Sequence, residues 1–182
     1  PLVVFADFET FIAKEDRMRG RTAVVASNDE AASVCYAAVG HDGYEPPDDH
    51  KLCYWDREDP AVFFFRRLFL LGAHFKDAKR KHETLHITDG IRRALAEATH
   101  CSLCNGLLDG DRVADHNHFT GEFRSVMHSA CNKKYRVNLK IPVFFHNLMG
   151  FDAHLLIRAI RRIVDKPELL RQFEELAESF DV

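Results

Sequence analysis

Long apolar runs are missing from this 182-residue chain. Its most hydrophobic stretch, Val62 to Leu71, is broken by Arg66 and Arg67 and falls short of the roughly 20 apolar residues that a membrane-spanning helix requires. Basic excess is missing too. With 25 Lys and Arg against 28 Asp and Glu, the formal charge is −3, so no global positive field marks a nucleic-acid binder. Any such contact must come from a local patch or from bound metal. The cysteines number five, which cannot pair completely within one chain and speaks against a disulfide scaffold. That usage suits a reducing, intracellular compartment. No basic-then-apolar leader opens the chain, and no initiator Met, so the sequence reads as a fragment. What is present, 46% hydrophobic and 29% charged residues, is the composition of one ordinary folded domain or of a domain with a small insert.

Short runs rich in β-branched and aromatic residues predict strands at Leu2 to Ala6, Thr22 to Ala26, Ser33 to Val39, Lys51 to Trp55 and Ile141 to Phe145. The second and third are joined by a polar Asn28, Asp29, Glu30 turn. Asp59 before Pro60 is a helix start, and apolar residues at Phe64, Phe65, Leu68, Leu71 and Phe75 keep helical spacing beyond it. A short helix is expected over Asp89 to Ala98, another over Asp152 to Val164 with Ala153, Leu156, Ile157, Ile160 and Val164 on one face, and a last one from Lys166 to Val182, acidic on its outside. Between Arg66 and Arg93, eight basic residues meet three acids, a local charge of +5. Trp55, Phe63, Phe64 and Phe65 read as core, with base stacking as the alternative; Cys35 and Cys53 read as buried small apolar residues.

Asp7 and Glu9 are two apart on a strand, so both carboxylates leave the same face while Phe8 points into the core. Beyond the strand Ile141 to Phe145 come His146, Asn147, Phe151 and Asp152, the last at the first turn of a helix, where the dipole favours a negative group. Taken singly, these are a solvated strand end and an N-cap. Together they resemble the proofreading 3′–5′ exonuclease domain of family B DNA polymerases. Asp7-Phe8-Glu9 resembles its first motif, and Asn147 through Phe151-Asp152 its second. The match is closest to the protein-primed subgroup, the Polinton/Maverick-type, organellar and viral polymerases, through the segment Ile141 to Leu155. The resemblance implies DNA as partner, a terminal protein as primer, and action in a nucleus or at a viral replication site. It also implies two Mg²⁺ ions about 3.5–4 Å apart that drive phosphodiester hydrolysis, with Asp7 bridging both, Glu9 and Asp152 holding one each, and Asn147 and Phe151 shaping the pocket for the terminal nucleotide. The third motif of that family, a Tyr ahead of an Asp, has no counterpart after Asp152, since Asp165 and Asp181 lack the aromatic partner. The chain is thus expected to be an amino-terminal fragment or a decayed copy, without palm or fingers.

Between these motifs lies a segment, His100 to Arg136, crowded with Cys and His. Cys101-Ser-Leu-Cys104 is a C-x₂-C knuckle, and His128 precedes Cys131 at the same spacing, which reads as one tetrahedral structural Zn²⁺ site. Asp115, His116, His118, Thr120, Gly121, Arg124 and Asn132 are arranged as in the ββα-metal (HNH) nucleases and resemble the phage endonuclease VII family. That resemblance implies His116 as general base, Asp115 and Asn132 as ligands of one Mg²⁺, and His118 as a helper. The acidic residue expected shortly after Asn132 is replaced by Lys133, Lys134, Tyr135 and Arg136. The three basic residues read either as phosphate contacts or as solvated charges. The expected fold is α/β, an RNase H-like exonuclease with a mixed sheet and flanking helices (residues 1–98 and 139–182), interrupted by a treble-clef zinc insert (residues 99–138). Three functions stay open on the sequence: an exonuclease region of a polymerase, an HNH-type endonuclease, and a non-catalytic DNA-binding module left by a mobile element.

Overall fold

Alternation decides how the first strand packs. Leu2, Val4, Ala6 and Phe8 are buried while Phe5, Asp7, Glu9 and Phe11 are exposed, the period-two pattern of a strand with one covered face. The computed structural model describes residues 2–13, 17–19, 23–25, 28–81, 83–135 and 140–178. In chain order it has strands β1 (Leu2–Ala13), β2 (Arg17–Arg19), β3 (Ala23–Val25) and β4 (Asn28–Gly40), helix α1 (Asp48–Lys51), strand β5 (Cys53–Trp55) and helices α2 (Pro60–Arg80) and α3 (Asp89–Glu97). Then come strands β6 (Val113–His116) and β7 (Phe123–Met127), helix α4 (Ser129–Lys134), strand β8 (Val143–Phe145), a π-helical turn (Leu148–Asp152) and helices α5 (Ala153–Asp165) and α6 (Pro167–Glu178).

Contacts divide the chain into two compact units: Leu2–Val39, Pro46–Phe75 and Ile141–Val182 form one, and Gly40–Glu45 with Lys76–Lys140 form the other. The second is wider than the 99–138 insert read from the Cys/His spacing. The first unit is built on a mixed sheet of order β5-β4-β1-β8. β8 runs parallel to β1, with Val4 opposite Val143 and Ala6 opposite Phe145, and β5 runs antiparallel to β4, with Val34 opposite Trp55 and Tyr36 opposite Cys53. One face of the sheet is covered by α2, whose Phe64 meets Phe8, Tyr36 and Phe145 edge-on at centroid distances of 5.6, 5.7 and 5.8 Å. Burial of the Phe8 and Phe64 rings stabilises the fold by roughly 1.5–3 kcal/mol each. Phe69 of α2 meets Phe173 of α6 at 5.4 Å. The fold is therefore mixed α/β with flanking helices.

Several sequence expectations are corrected. β1 continues through Asp7 and Glu9 to Ala13, and Asn28 to Glu30 lies inside β4 rather than in a turn; the backbone ladder overrides local turn preference. Lys51 ends a short helix, so β5 starts only at Cys53. Of Thr22 to Ala26, Ala23–Val25 is strand and both ends lie outside the described residues, as do the last four of the tail. Pro60 opens α2 as expected, but Asp59 has φ +52° and its carboxylate pairs with Arg162 at 2.7 Å. α5 buries Leu155, Ala159 and Ile163, leaving Ile157, Ile160 and Val164 exposed. Both stripes satisfy helical spacing, so the choice between them belongs to packing. Cys35 is exposed and Cys53 half-buried rather than both being buried. Trp55 stacks on Phe63 at 4.2 Å, and Phe64 is core.

A polar network sits within this core. The Tyr36 hydroxyl accepts from Arg67 Nε at 3.0 Å and lies 2.9 Å from His50 Nδ1. With Arg67 donating, the Tyr36 O–H is left to donate to Nδ1, which puts the His50 proton on Nε2. Arg67 also donates to the carbonyl and carboxylate of Asp49 at 2.7 and 2.8 Å. His50 is 1% exposed. Burial first, then the Arg67 charge, pushes its pKa down to about 4. Because the folded pKa lies below the unfolded value near 6.5, the unfolded chain binds the extra proton in between, and stability falls as pH drops from about 6.5 towards 4. Urea unfolding across that window is expected to show this slope in the native chain and to lose most of it in His50→Gln.

Candidate functional site

The Gly40–Glu45 and Lys76–Lys140 unit has a small apolar core, Cys101, Leu108, Val126 and Met127, with Leu95, Phe123 and Cys131 among the side chains packed on it. So small a core rarely holds a fold unaided. Polar fastenings supplement it. Arg112 donates to the carbonyls of Leu95, Ala96 and Leu108 at 3.1, 2.8 and 3.3 Å, satisfying the end of α3, and Asp111 accepts from the Ser129 N–H at 3.1 Å, capping α4. Cys101 and Cys104 lie on a tight knuckle closed by Cys101 N–H to Gly106 O at 2.8 Å and Asn105 N–H to Cys101 O at 2.9 Å, with Asn105 at φ +56°. The hairpin β6–β7 then delivers His128 and α4, which carries Cys131.

The donor atoms of Cys101, Cys104, His128 and Cys131 lie within 4.8 Å of one another, and these residues can hold a metal ion such as zinc. His128 Nδ1 is 3.5 Å from Cys104 Sγ and 3.8 Å from Cys131 Sγ. A tetrahedral ion with bonds of about 2.3 Å to sulfur and 2.0–2.1 Å to nitrogen would set its ligand atoms about 3.5–3.8 Å apart. The other ring nitrogen, Nε2, donates to the Leu107 carbonyl at 2.9 Å, which fixes the tautomer that leaves Nδ1 for the metal. The Leu107 carbonyl and then the Cys104 thiol raise the His128 pKa, and burial of Cys101 is outweighed by N–H groups of Cys104, His128 and Leu103, which lower its thiol pKa. Loading therefore displaces a proton from His128 and thiol protons. The chain is expected to bind one zinc ion with proton release, and cobalt in its place should give thiolate-to-metal charge-transfer absorption. Cys131→Ala should abolish that band and the thermal transition of this unit, as chelation should.

The same unit holds the second group singled out by the sequence. A cavity of about 330 Å³ is lined by Asp115, His118, Asn132 and Lys133, with Arg124 and Tyr135 among its walls. Asp115 is buried, and both of its oxygens accept the Arg124 fork, from Nε at 2.8 Å and Nη2 at 3.1 Å. Arg124 also lies over the Tyr135 ring at 5.1 Å. His116 does not line this cavity but stacks on His118 at 4.8 Å. Lys134 is exposed on α4 away from the lining, and Arg136 lies outside the described residues. The sequence missed Tyr135 and Lys79 as wall residues; Lys79 was legible only as one charge in a basic run.

In the sheet unit, Asp7 and Glu9 share the exposed face of β1. Asn147 immediately precedes the π-helical turn, and its amide folds across the turn so closely that a Cβ on Gly150 would lie 2.6 Å from its Oδ1. Phe151 is half-buried on this turn. Asp152 is 1% exposed, makes no side-chain cap on α5, and its Oδ1 has no hydrogen-bond partner. Asp152 thus occupies the N-cap position of α5 as read, but its side chain does not do the capping. Burial first and the Asp7 charge second raise the Asp152 pKa, while N–H groups of its own residue, Phe8 and Asn147 pull the other way. Asp152 thus sits beside β1 at Asp7, facing a charge of the same sign with one oxygen bare. The Asp152 carboxyl is therefore held by backbone N–H groups on one side while its Oδ1 has no protein partner. Among the described residues the donor atoms that gather closely enough to hold a metal ion are those of Cys101, Cys104, His128 and Cys131, and the structure does not bring Asp7, Glu9 and Asp152 together in that way. In chelator, Asp152→Asn is expected to raise the melting temperature, by the equivalent of about 1 kcal/mol, because it removes a buried uncompensated charge.

Comparison with protein-family models, with curated proteins and with solved structures finds no match to the chain.

Proposed function

We propose that the chain is a divalent-metal-dependent nuclease of the proofreading kind, the exonuclease region of a protein-primed family B DNA polymerase, with an RNase H-like sheet and a treble-clef zinc insert. The observation that carries the reading is the bare Oδ1 of buried Asp152 beside Asp7, the residue of β1 that follows the last rung of its parallel ladder with β8, Ala6 opposite Phe145. In open sheets ligands gather beyond the carboxyl ends of parallel strands. Asp7, Glu9 and Asp152 would hold the cations, which supply the Lewis acidity that makes water nucleophilic and stabilises charge on the scissile phosphate. Asp152, fixed at the first turn of α5 and shielded from water, sets the position of that charge. Asn147, pinned across the turn over Gly150, offers its amide to the sugar or phosphate of the terminal nucleotide. The knuckle, the β6–β7 hairpin and α4, in that order, support the treble-clef assignment.

A second reading is favoured by one feature, the cavity shared by Asp115, His118 and Asn132. It is an HNH-type endonuclease acting through the zinc unit. The Arg124 fork on both Asp115 oxygens counts against it, because a carboxylate so engaged has little left for a metal. A binding-only module is the third outcome. With Mg²⁺, a 5′-labelled linear single strand of DNA is expected to shorten stepwise from its 3′ end, while a covalently closed single-stranded circle stays intact. Asp7→Ala and Asp152→Asn should each slow the shortening by at least about a hundredfold, on the scale of losing a metal-site electrostatic contact. Cutting of the circle that survives Asp7→Ala and is lost in His116→Ala would replace this reading with the HNH one. Strand binding with neither substrate cut would leave the binding module.

A further inference from the structure

Helix α5 turns an apolar stripe to the surface, and its charges are opposite in sign to those of α6, which packs beside it. Ile157, Ile160 and Val164 are 62%, 48% and 58% exposed, while Leu155, Ala159 and Ile163 take the buried side. Beside the stripe run Arg158, Arg161, Arg162 and Lys166 against Asp165 alone, a net +3. On α6, Glu168, Glu174, Glu175 and Glu178 stand against Arg171 alone, a net −3. All of these charged residues are exposed. Like charges three or four apart on a helix repel, as Arg158 does with Arg161 and Glu174 with Glu178. The acids also crowd the C-terminal half of α6, the negative end of its dipole, with no basic residue in the last turn. The ion pairs that Arg162 makes with Asp59 at 2.7 Å and Glu175 with Arg171 at 3.6 Å do not join the two rows.

We infer that this face docks a second copy of the chain in a reversible two-fold dimer, the α5 stripes meeting each other and the basic row of each copy meeting the acidic row of the other's α6. The inference does not depend on the nuclease reading. Charge selects the occupant. The face carries both signs in equal amount, so a two-fold axis that brings it against itself matches positive with negative twice. A polyanion or an anionic membrane would meet the basic row and be repelled by the acidic one beside it. The apolar stripe gives the contact a centre that excludes water, with the charges at its rim. Size sets the strength. Helices of 13 and 12 residues, each about 20 Å long and about 10 Å apart, present a face of about 400 Å². That is about half of the 800 Å² or so that each partner gives to a standard stable interface, so the dimer exchanges with monomer and depends on its charges.

The test is sedimentation of the full chain over a range of concentrations. The native chain should pass from monomer to dimer at about 10–100 μM, as weak interfaces of this size do. Raising the salt from about 0.05 to about 0.5 M should weaken the dimer about tenfold, because screening shortens the reach of exposed charges. Two double variants at exposed positions, Arg161→Glu with Lys166→Glu and Glu174→Lys with Glu178→Lys, should each stay monomeric, with circular dichroism showing a retained fold. Mixed in equal amounts, the two should pair with each other about as tightly as the native chain pairs with itself, since opposite signs then face each other again across the axis. Ile157→Ser should weaken the native dimer about tenfold, the scale of an aliphatic side chain partly buried in each copy. A native chain that stays monomeric throughout, a dimer that survives reversal of either row, or a failure of the two variants to pair would overturn the assignment. So would a dimer that Phe144→Ala dissolves, since the contact would then lie on the open sheet face, where Phe5 and Phe144 stack at 5.7 Å. Reversal of the basic row that leaves sedimentation unchanged but strips single-stranded DNA from the chain would overturn it too, in favour of a polyanion on that row.

Discussion

Strand β1 can show only alternate residues to the helices that cover it, and the sheet unit follows from that parity. With Val4, Ala6 and Phe8 inward, Phe8 meets Phe64 and Phe145, and the ladder to β8 puts Ala6 opposite Phe145. The same parity turns Phe5, Asp7 and Glu9 outward together. A shift of one residue would bury two carboxylates and expose the ring at the centre of the core, at a cost no other contact here could offset. Core, carboxylate pair and exposed aromatic pair are thus three consequences of one register. The π-helical turn adds the fourth, because it brings the Asp152 carboxyl back against Phe8 and Asp7 instead of letting it cap α5 in water.

The zinc-type unit obeys a different constraint. Its core is a handful of side chains, and Cys101 belongs both to that core and to the ligand set. A metal ion held by these residues would therefore be coupled to the folding of that core. The fastenings by Arg112 and Asp111 hold backbone ends that a larger core would have buried, and the Leu107 carbonyl orients His128. Arg124 serves the same economy of structure: it neutralises buried Asp115 with two hydrogen bonds and shields it with the Tyr135 ring. That pairing makes Asp115 a structural anchor of the cavity wall, which is why the electrostatically frustrated Asp152, and not Asp115, carries the functional reading.

Chemical logic links the buried polar groups of the sheet unit. The Tyr36–His50–Arg67 network links the Tyr36 hydroxyl, His50 Nδ1, the Arg67 fork and Asp49 by hydrogen bonds, which tie β4 to α1 and α2. Asp152 is the exception, a carboxylate with an oxygen left bare.

The sequence by itself determined the features that depend on covalent spacing. The C-x₂-C knuckle and the matching His128–Cys131 pair identified four ligands whose atoms do converge, because tight local turns leave such short spacings few alternatives. Alternation likewise placed Asp7 and Glu9 on one face, since that follows from the strand period alone. Tertiary structure decided the rest. Which stripe of α5 is buried could not be read, because Leu155, Ala159 and Ile163 and the exposed Ile157, Ile160 and Val164 fit the helical period equally well. The exposure of Phe5 and Phe144 could not be read either, because an apolar strand does not reveal that only one of its faces has a cover. The bare oxygen of Asp152 and the Arg124 fork on Asp115 were also invisible, because they depend on residues distant in sequence meeting in a low-dielectric interior, where a partner gained or missing decides what a carboxylate can do.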